Sequence, residues 1–218
     1  MSGIWLGIDT TTTLGSVALT SQENLISEIV LPVTGFHSEK LLPAIEQLLS
    51  GAKISGEELA GIAVSLGPGS YTGLRIGLAS ATGLSAGWGV PLKGISSLRV
   101  LAATLPDAPA LSCVRARNKE VFAGAFSSSS PFSEEIIKQS LYSTQELEKK
   151  IRETNITFSA IGSGRSEVDI PELNWVSSIL DYPRASIVAE CAMQLAEKKG
   201  FDSQIEPLYL REFNQRVL

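Results

Sequence analysis

His37 is the only histidine among 218 residues, so any metal or general-base chemistry by imidazole has to start from it. Two metal-binding histidines on a helix are spaced by four residues, which stacks both rings on one face. Four residues beyond His37 stands Leu41, which has no ligand atom, and neither cysteine is near it in sequence. His37 therefore reads as a surface or capping residue ahead of Ser38. A Ser-His-Asp site would need the same histidine. The stretch Gly67-Pro-Gly-Ser70 also lacks the spacing of a Gly-x-Ser-x-Gly elbow. Hydrolase chemistry is disfavoured on both counts.

Phosphate binding is the stronger alternative. Neither Gly-x-x-x-x-Gly-Lys-Ser/Thr nor Gly-x-Gly-x-x-Gly occurs, but two softer candidates do. Asp9 is followed by Thr10, Thr11, Thr12 and Thr13. In a turn, such hydroxyls and amides can face a phosphate while Asp9 holds Mg2+ through water. Gly69 and Ser70 end a loop that opens a helix, and helix N-termini attract anions. Against both stands ordinary turn chemistry, in which Asp and Thr bond their local backbone. The first loop also has no lysine nearby to offset phosphate charge.

The segment 67–87 suits docking better than chemistry. Each glycine inside a helix costs up to about 1 kcal/mol against alanine, and this helix carries Gly73, Gly77, Gly83 and Gly87. Close backbone approach to another element is one compensation. Gly73, Gly77 and Ala81 recur every four residues and form one ridge, with Leu74 and Leu78 beside it. Small-xxx-small ridges allow tight helix contacts. Packing under the chain's own sheet or beside residues 38–50 is the competing use of the same ridge.

These candidates need elements to hold them. Ile4, Leu6 and Ile8 alternate, residues 9–15 turn, and 16–20 return, which predicts a β-hairpin. Residues 25–31 extend it. A helix is expected over 38–50, capped by Ser38, with Leu41, Leu42, Ile45, Leu48 and Leu49 on one face. Pro43 predicts a kink or a late start there. Residues 60–66 read as a buried strand, 67–72 as a loop and the following residues to 88 as a helix. A short strand over 90–94 and a helix over 97–104 follow. Pro106 and Pro109 flank a break that divides the chain into lobes 1–105 and 106–218, with a tail able to pack back on the first lobe. In the second lobe, strands are expected over 110–116, 121–126 and 158–161. The serine run 127–130 reads as surface loop. Ser143-Thr-Gln-Glu146 forms a capping box opening a helix to about 153. Residues 185–199 make the best amphipathic helix, with Gly200 at its C-cap. No sequence repeat is visible.

Composition excludes other classes. Apolar residues are 44% and charged ones 19%, an ordinary globular mixture. The net charge of −5 argues against general polyanion binding, which needs clustered Lys and Arg. No stretch is long and apolar enough for a membrane span, and the N-terminus lacks a basic n-region. The expected location is cytoplasmic, with Cys113 and Cys191 reduced and buried.

Several stretches resemble the TsaB (YeaZ) family: Gly7-Ile-Asp-Thr-Thr11, His37-Ser-Glu-Lys-Leu-Leu-Pro43 and above all Ser65-Leu-Gly-Pro-Gly-Ser-Tyr-Thr-Gly-Leu-Arg-Ile-Gly77. Pro91-Leu-Lys-Gly-Ile-Ser-Ser97, Gly162-Ser-Gly164 and Pro207-Leu-Tyr-Leu-Arg211 fit it too. The match spans nearly the whole chain and is strongest through residue 97. Where the family usually has Asp-Ala-Arg, this chain has Arg115-Ala-Arg117.

The resemblance implies an α/β, two-lobed actin/sugar-kinase/Hsp70-like (ribonuclease H-like) fold with degenerate nucleotide and metal sites. Asp9, Thr10, Thr11, Gly69 and Ser70 would be a vestigial nucleotide loop. It implies a non-catalytic dimerisation subunit for the catalytic paralogue TsaD, in making N6-threonylcarbamoyladenosine in transfer RNA, with the ATPase TsaE joining. The paralogue holds its metal through a His-x-x-x-His pair, whose counterpart here is His37 and Leu41. The first two helices would form the interface through Leu41, Leu42, Ile45, Gly73, Leu74, Gly77, Leu78 and Ala81. A homodimer through the same surface is the alternative when TsaD is absent. No cofactor is expected, weak nucleotide binding stays an open alternative, and tRNA would be met only through the complex.

Overall fold

The computed structural model describes residues 3–32, 37–168 and 170–210, without the side chains of Pro32, His37 and Ser38. The expected meander forms β1 (Trp5–Asp9), β2 (Leu14–Thr20) and β3 (Leu25–Pro32), each antiparallel to the last. After α1 (His37–Ala52) come β4 (Gly61–Ser65), α2 (Tyr71–Trp88), β5 (Leu92–Ile95) and α3 (Ser97–Ala103). Strands β4 and β5 run parallel to β1, so the first sheet has the order β3-β2-β1-β4-β5.

The second sheet contains β6 (Ala110–Arg115), β7 (Glu120–Phe126), β8 (Glu135–Ser143), β9 (Ser159–Ile161) and β10 (Asn174–Trp175). Helix α4 (Thr144–Thr154) precedes β9, and α5 (Ala185–Lys199) follows the sheet. Its order, β10-β9-β6-β7-β8, is the first sheet's order repeated: an antiparallel meander of three strands, then two parallel additions to its first strand. The duplication lies in topology alone.

Pro43 neither delays nor breaks α1, which runs from His37 through Ala52. Its ring stands on the exposed face, so the carbonyl left without its helical partner meets water there. Ser38 lies inside this helix rather than ahead of it; its side chain and that of His37 are outside the described residues. Ser143 opens α4 as its N-cap: its Oγ accepts from the Glu146 amide at 3.2 Å. Strands β8 and β10 were not anticipated. Register shifts opposite β7 break the alternation in β8, leaving Ile137 and Tyr142 as its buried residues.

Strand β1 is central and buried on both faces. Leu6, Ile8, Ile62 and Val64 meet Leu41, Ile45 and Leu48 of α1 and Leu74 and Leu78 of α2. On the other face Trp5, Ala63 and Ile95 meet Val188, Ala189 and Ala192 of α5. The last helix thus packs on the first sheet. Gly7 is required by this contact, because a β-carbon there would overlap the Ala185 carbonyl. The N-terminus of α5 is capped from the sheet: Ala185 N donates to Ser16 Oγ at 2.9 Å, and Ser186 N and Oγ donate to Glu28 Oε1 at 3.0 Å. Beyond α5, Lys93 Nζ donates to Asp202 Oδ1 at 2.7 Å and Leu208 N donates to Leu66 O at 2.7 Å. Cys113 and Cys191 are both free and buried, as expected.

Candidate functional site

The C-terminal ends of β1 and β4 bring the two suspected phosphate loops together. Asp9, Thr10 and Thr11 are buried. The Asp9 carboxylate accepts from Thr11 N at 3.0 Å and from Thr11 Oγ1 at 3.0 Å. Thr11 Oγ1 in turn accepts from Ser97 Oγ at 3.2 Å. The glycine loop closes directly onto this turn. Ser70 N donates to Thr11 O at 2.6 Å, and Ser97 N donates to Gly67 O at 2.8 Å. A β-carbon at Gly69 would overlap the Thr11 carbonyl. The Gly73 amide is bonded to Ser70 Oγ at 3.2 Å. The five residues of the suspected nucleotide loop therefore lie together, but as ordinary turn chemistry between two touching backbones.

Ser97 and Ser65 belong to this cluster and were missed by sequence reasoning. Both sit at element ends remote from residue 9, and no local spacing links them to it. Ser65 Oγ lies close enough to Asp9 to favour its ionised form, yet it makes no geometrically sound hydrogen bond. Burial dominates and pushes the Asp9 carboxyl up to about 6, against the smaller opposing effects of Ser65 and the Thr11 amide and hydroxyl. A carboxyl raised above its unfolded value stabilises the fold in its neutral form. That contribution is complete below about pH 4 and is lost as pH rises through 6, on the order of 3 kcal/mol in all. Asp9→Asn should therefore gain thermal stability over the parent as pH rises from about 4 to about 6.5, and the gain should level off above that. An offset that stays constant across that range would refute the assignment.

The small-residue ridge faces inward. Thr10 Oγ1 donates to Gly73 O at 2.7 Å, and β-carbons at Gly73 and Gly77 would overlap the Thr10 carbonyl and hydroxyl. Ala81 is fully buried. Leu41, Ile45, Leu74 and Leu78 are likewise in the core, and of the eight expected interface residues Leu42 alone is exposed, at 44%. The ridge is therefore corrected from a partner surface to the seam between α2 and the β1–β2 turn. The outward face of α2 carries Thr72, Arg75, Ala79, Gly83 and Ala86. A β-carbon on Gly83 or Gly87 would touch nothing within 4 Å.

Near the start of α2, Arg75 lies 4.0 Å above the Tyr71 ring, and Tyr71 and Tyr209 have centroids 6.0 Å apart. Exposed pairs of this kind give no sequence signal, since residues 71 and 209 meet only through the tail. Leu41 also bears on the metal question. It is fully buried in the α1 core, so the position four beyond His37 offers a metal no ligand. A two-histidine centre does not fit this helix.

Comparison with known proteins places this geometry. A Bacillus subtilis protein named tRNA threonylcarbamoyladenosine biosynthesis protein TsaB is 37% identical over 98 residues, 45% of this chain and 43% of the relative. The protein of the same name from Haemophilus influenzae is 28% identical across 94% of this chain and 92% of its own length. The chain thus matches less than half the length of the first relative and nearly all of the second. The family model described as TsaD, tRNA N6-adenosine threonylcarbamoyltransferase, matches residues 30–191. The chain belongs to this TsaD/TsaB (YeaZ) family. Its fold is that of a Pseudomonas aeruginosa crystal structure with similarity to peptidase YeaZ, with a TM-score of 0.84 at 22% identity, covering 97% of this chain and 100% of that one. YeaZ from the same organism gives a TM-score of 0.81 at 21% identity, over 96% and 100%. The family is the one that the motifs at 7–11, 37–43 and 65–77 suggested. Among the described residues no helix is long and apolar enough to cross a membrane.

Proposed function

We propose that the chain is a non-catalytic subunit of the assembly that makes N6-threonylcarbamoyladenosine in tRNA, supporting a catalytic TsaD. The observation that carries this reading is the closed site. Leu41 occupies the ligand position and is packed into the core, and the two loops that could cradle a phosphate are bonded to each other. A family member that has filled both places with its own packing retains the fold and loses the chemistry. Its role is then to hold a partner, and the names of its relatives supply the pathway.

The partner surface follows from what the fold leaves outside. Leu42 on α1 and the Arg75, Ala79, Gly83 and Ala86 face of α2 are exposed on two helices that touch one another. Glycine and alanine there allow a facing helix to approach closely. TsaD is the proposed occupant, TsaE joins the larger assembly, and a homodimer uses the same face when TsaD is absent. No nucleotide or metal is required by this chain.

Reconstitution tests the reading. Unmodified tRNA is incubated with threonylcarbamoyl-adenylate, TsaD and TsaE, with or without this chain, and its nucleosides are measured by mass spectrometry. Modification is expected to fall to background when the chain is omitted, and the chain alone should transfer nothing. Turnover by the purified chain, or full modification in its absence, would sink the proposal.

A further inference from the structure

The turn joining β6 and β7 places three cations within five residues, Arg115, Arg117 and Lys119, in a chain whose net charge is −5. Arg115 is engaged with Glu167, with Nε 3.0 Å from Oε1, although its side chain is still 65% exposed. Arg117, Asn118 and Lys119 are all exposed. The turn is tightly made. Ala116 N donates to Glu120 O at 3.0 Å, Glu120 N donates to Arg117 O at 3.2 Å, and Thr144 N donates to Lys119 O at 3.3 Å from the start of α4.

Its two central residues are both left-handed, Asn118 at φ 60 and Lys119 at φ 57. Consecutive left-handed residues of this kind suit asparagine and are easiest for glycine. Asparagine occupies the first position as expected, but lysine stands where glycine is easiest. A long cationic side chain held in a backbone state that L residues disfavour points to a use for the side chain. Bonded at its base, the turn leaves the Arg117 and Lys119 side chains exposed to water. Exposed cations on a rigid tip suit an extended polyanion, which adds contacts along its length. A small nucleotide instead needs a cavity that encloses it.

We propose that this turn contacts RNA backbone phosphates through Arg117 and Lys119, giving the chain a direct hold on the tRNA of the assembly. The inference rests on the subunit reading above and adds to it, since that reading brings tRNA to the chain only through its partners. Phosphate contacts carry no sequence preference but position the RNA.

The test uses the reconstituted assembly with the double variant Arg117→Gln/Lys119→Gly. Glycine suits the left-handed position, so the thermal midpoint should not fall. Arg117→Gln/Lys119→Asn is the companion variant, since asparagine also tolerates that backbone. Binding of an unmodified tRNA transcript is measured by fluorescence anisotropy as KCl is raised. The expected result is affinity weaker by about 5- to 10-fold, with the slope of log K against log salt shallower by about 1.5, the loss of two phosphate contacts. Arg117→Lys/Lys119→Arg should restore both. Unchanged affinity and slope would overturn the proposal. So would loss of assembly in the absence of RNA, which would make the turn a protein contact, or loss of ATP affinity with tRNA binding intact. If the parent assembly neither forms nor modifies tRNA, the subunit reading itself has failed and this inference fails with it. A parent assembly that works while the variant binds tRNA equally well removes the turn alone.

Discussion

Replacing Gly73 by valine should lower the thermal midpoint of the chain by about 10 °C, a loss of about 3 kcal/mol or more for a protein of this size. The added β-carbon would overlap the carbonyl oxygen of Thr10, a backbone atom. Neither side of the contact can swing away. Thr10 is held by its own bond to Gly73 O, and its carbonyl sits in the turn whose next residue accepts the Ser70 amide. Helix α2 would have to lift from the sheet, exposing Leu74 and Leu78, which are now in the core. Valine should also reduce soluble expression. Differential scanning calorimetry of the isolated chain measures the effect, and a midpoint within a degree or two of the parent would show that the seam between α2 and the β1–β2 turn is not as tight as described.

Gly83→Arg should do the reverse. In the isolated chain a β-carbon at this position meets no atom within 4 Å, and removing a glycine from a helix interior gains up to about 1 kcal/mol. The midpoint should hold or rise by a degree or two. Under the docking proposed above, binding to TsaD should fall by about 100-fold or more, because a long cationic side chain would occupy the space proposed for a facing helix. Size-exclusion chromatography of the mixed subunits reads this directly. Retained heterodimer with Gly83→Arg would move the docking surface off α2. The two glycines lie ten residues apart on one helix, and the contrast between them separates inner packing from outer recognition.

That contrast also shows what a sequence of this kind makes legible. Glycine spacing announces that something approaches closely, but it does not say from which side. Gly73, Gly77 and Ala81 look like a docking ridge for the same reason that they make a good seam: both need bare backbone. Only the position of Thr10 decides between them. Local chemistry was more informative. The alternation in 4–8 yields β1, the capping box at 143–146 yields the start of α4, and the stripe Val188, Cys191, Ala192 and Leu195 yields α5. The Asp9 and Gly69 loops were recognisable as turns and do lie together. Features built from distant residues were not legible. Ser97 reaching Thr11, Tyr209 meeting Tyr71, and the second sheet repeating the order of the first all depend on how the chain returns upon itself. Strand β8 failed for a local reason, since its irregular register removes the two-residue period by which a strand is read.

The placement of α5 has a consequence for how the chain is made. Trp5, Gly7, Ala63 and Ile95 lie in one half of the chain, while the helix that covers them spans Ala185–Lys199. At cellular synthesis rates of about 5–20 residues per second, on the order of ten seconds pass between the emergence of β4 and that of α5. During that interval the face that α5 will cover lacks its main partner and is open to chaperones and to neighbouring nascent chains. The N-terminal half thus completes this part of its core only once α5 is in place. A chain whose synthesis stops before Ala185 leaves the ribosome with that surface uncovered, so quality control and folding both turn on α5.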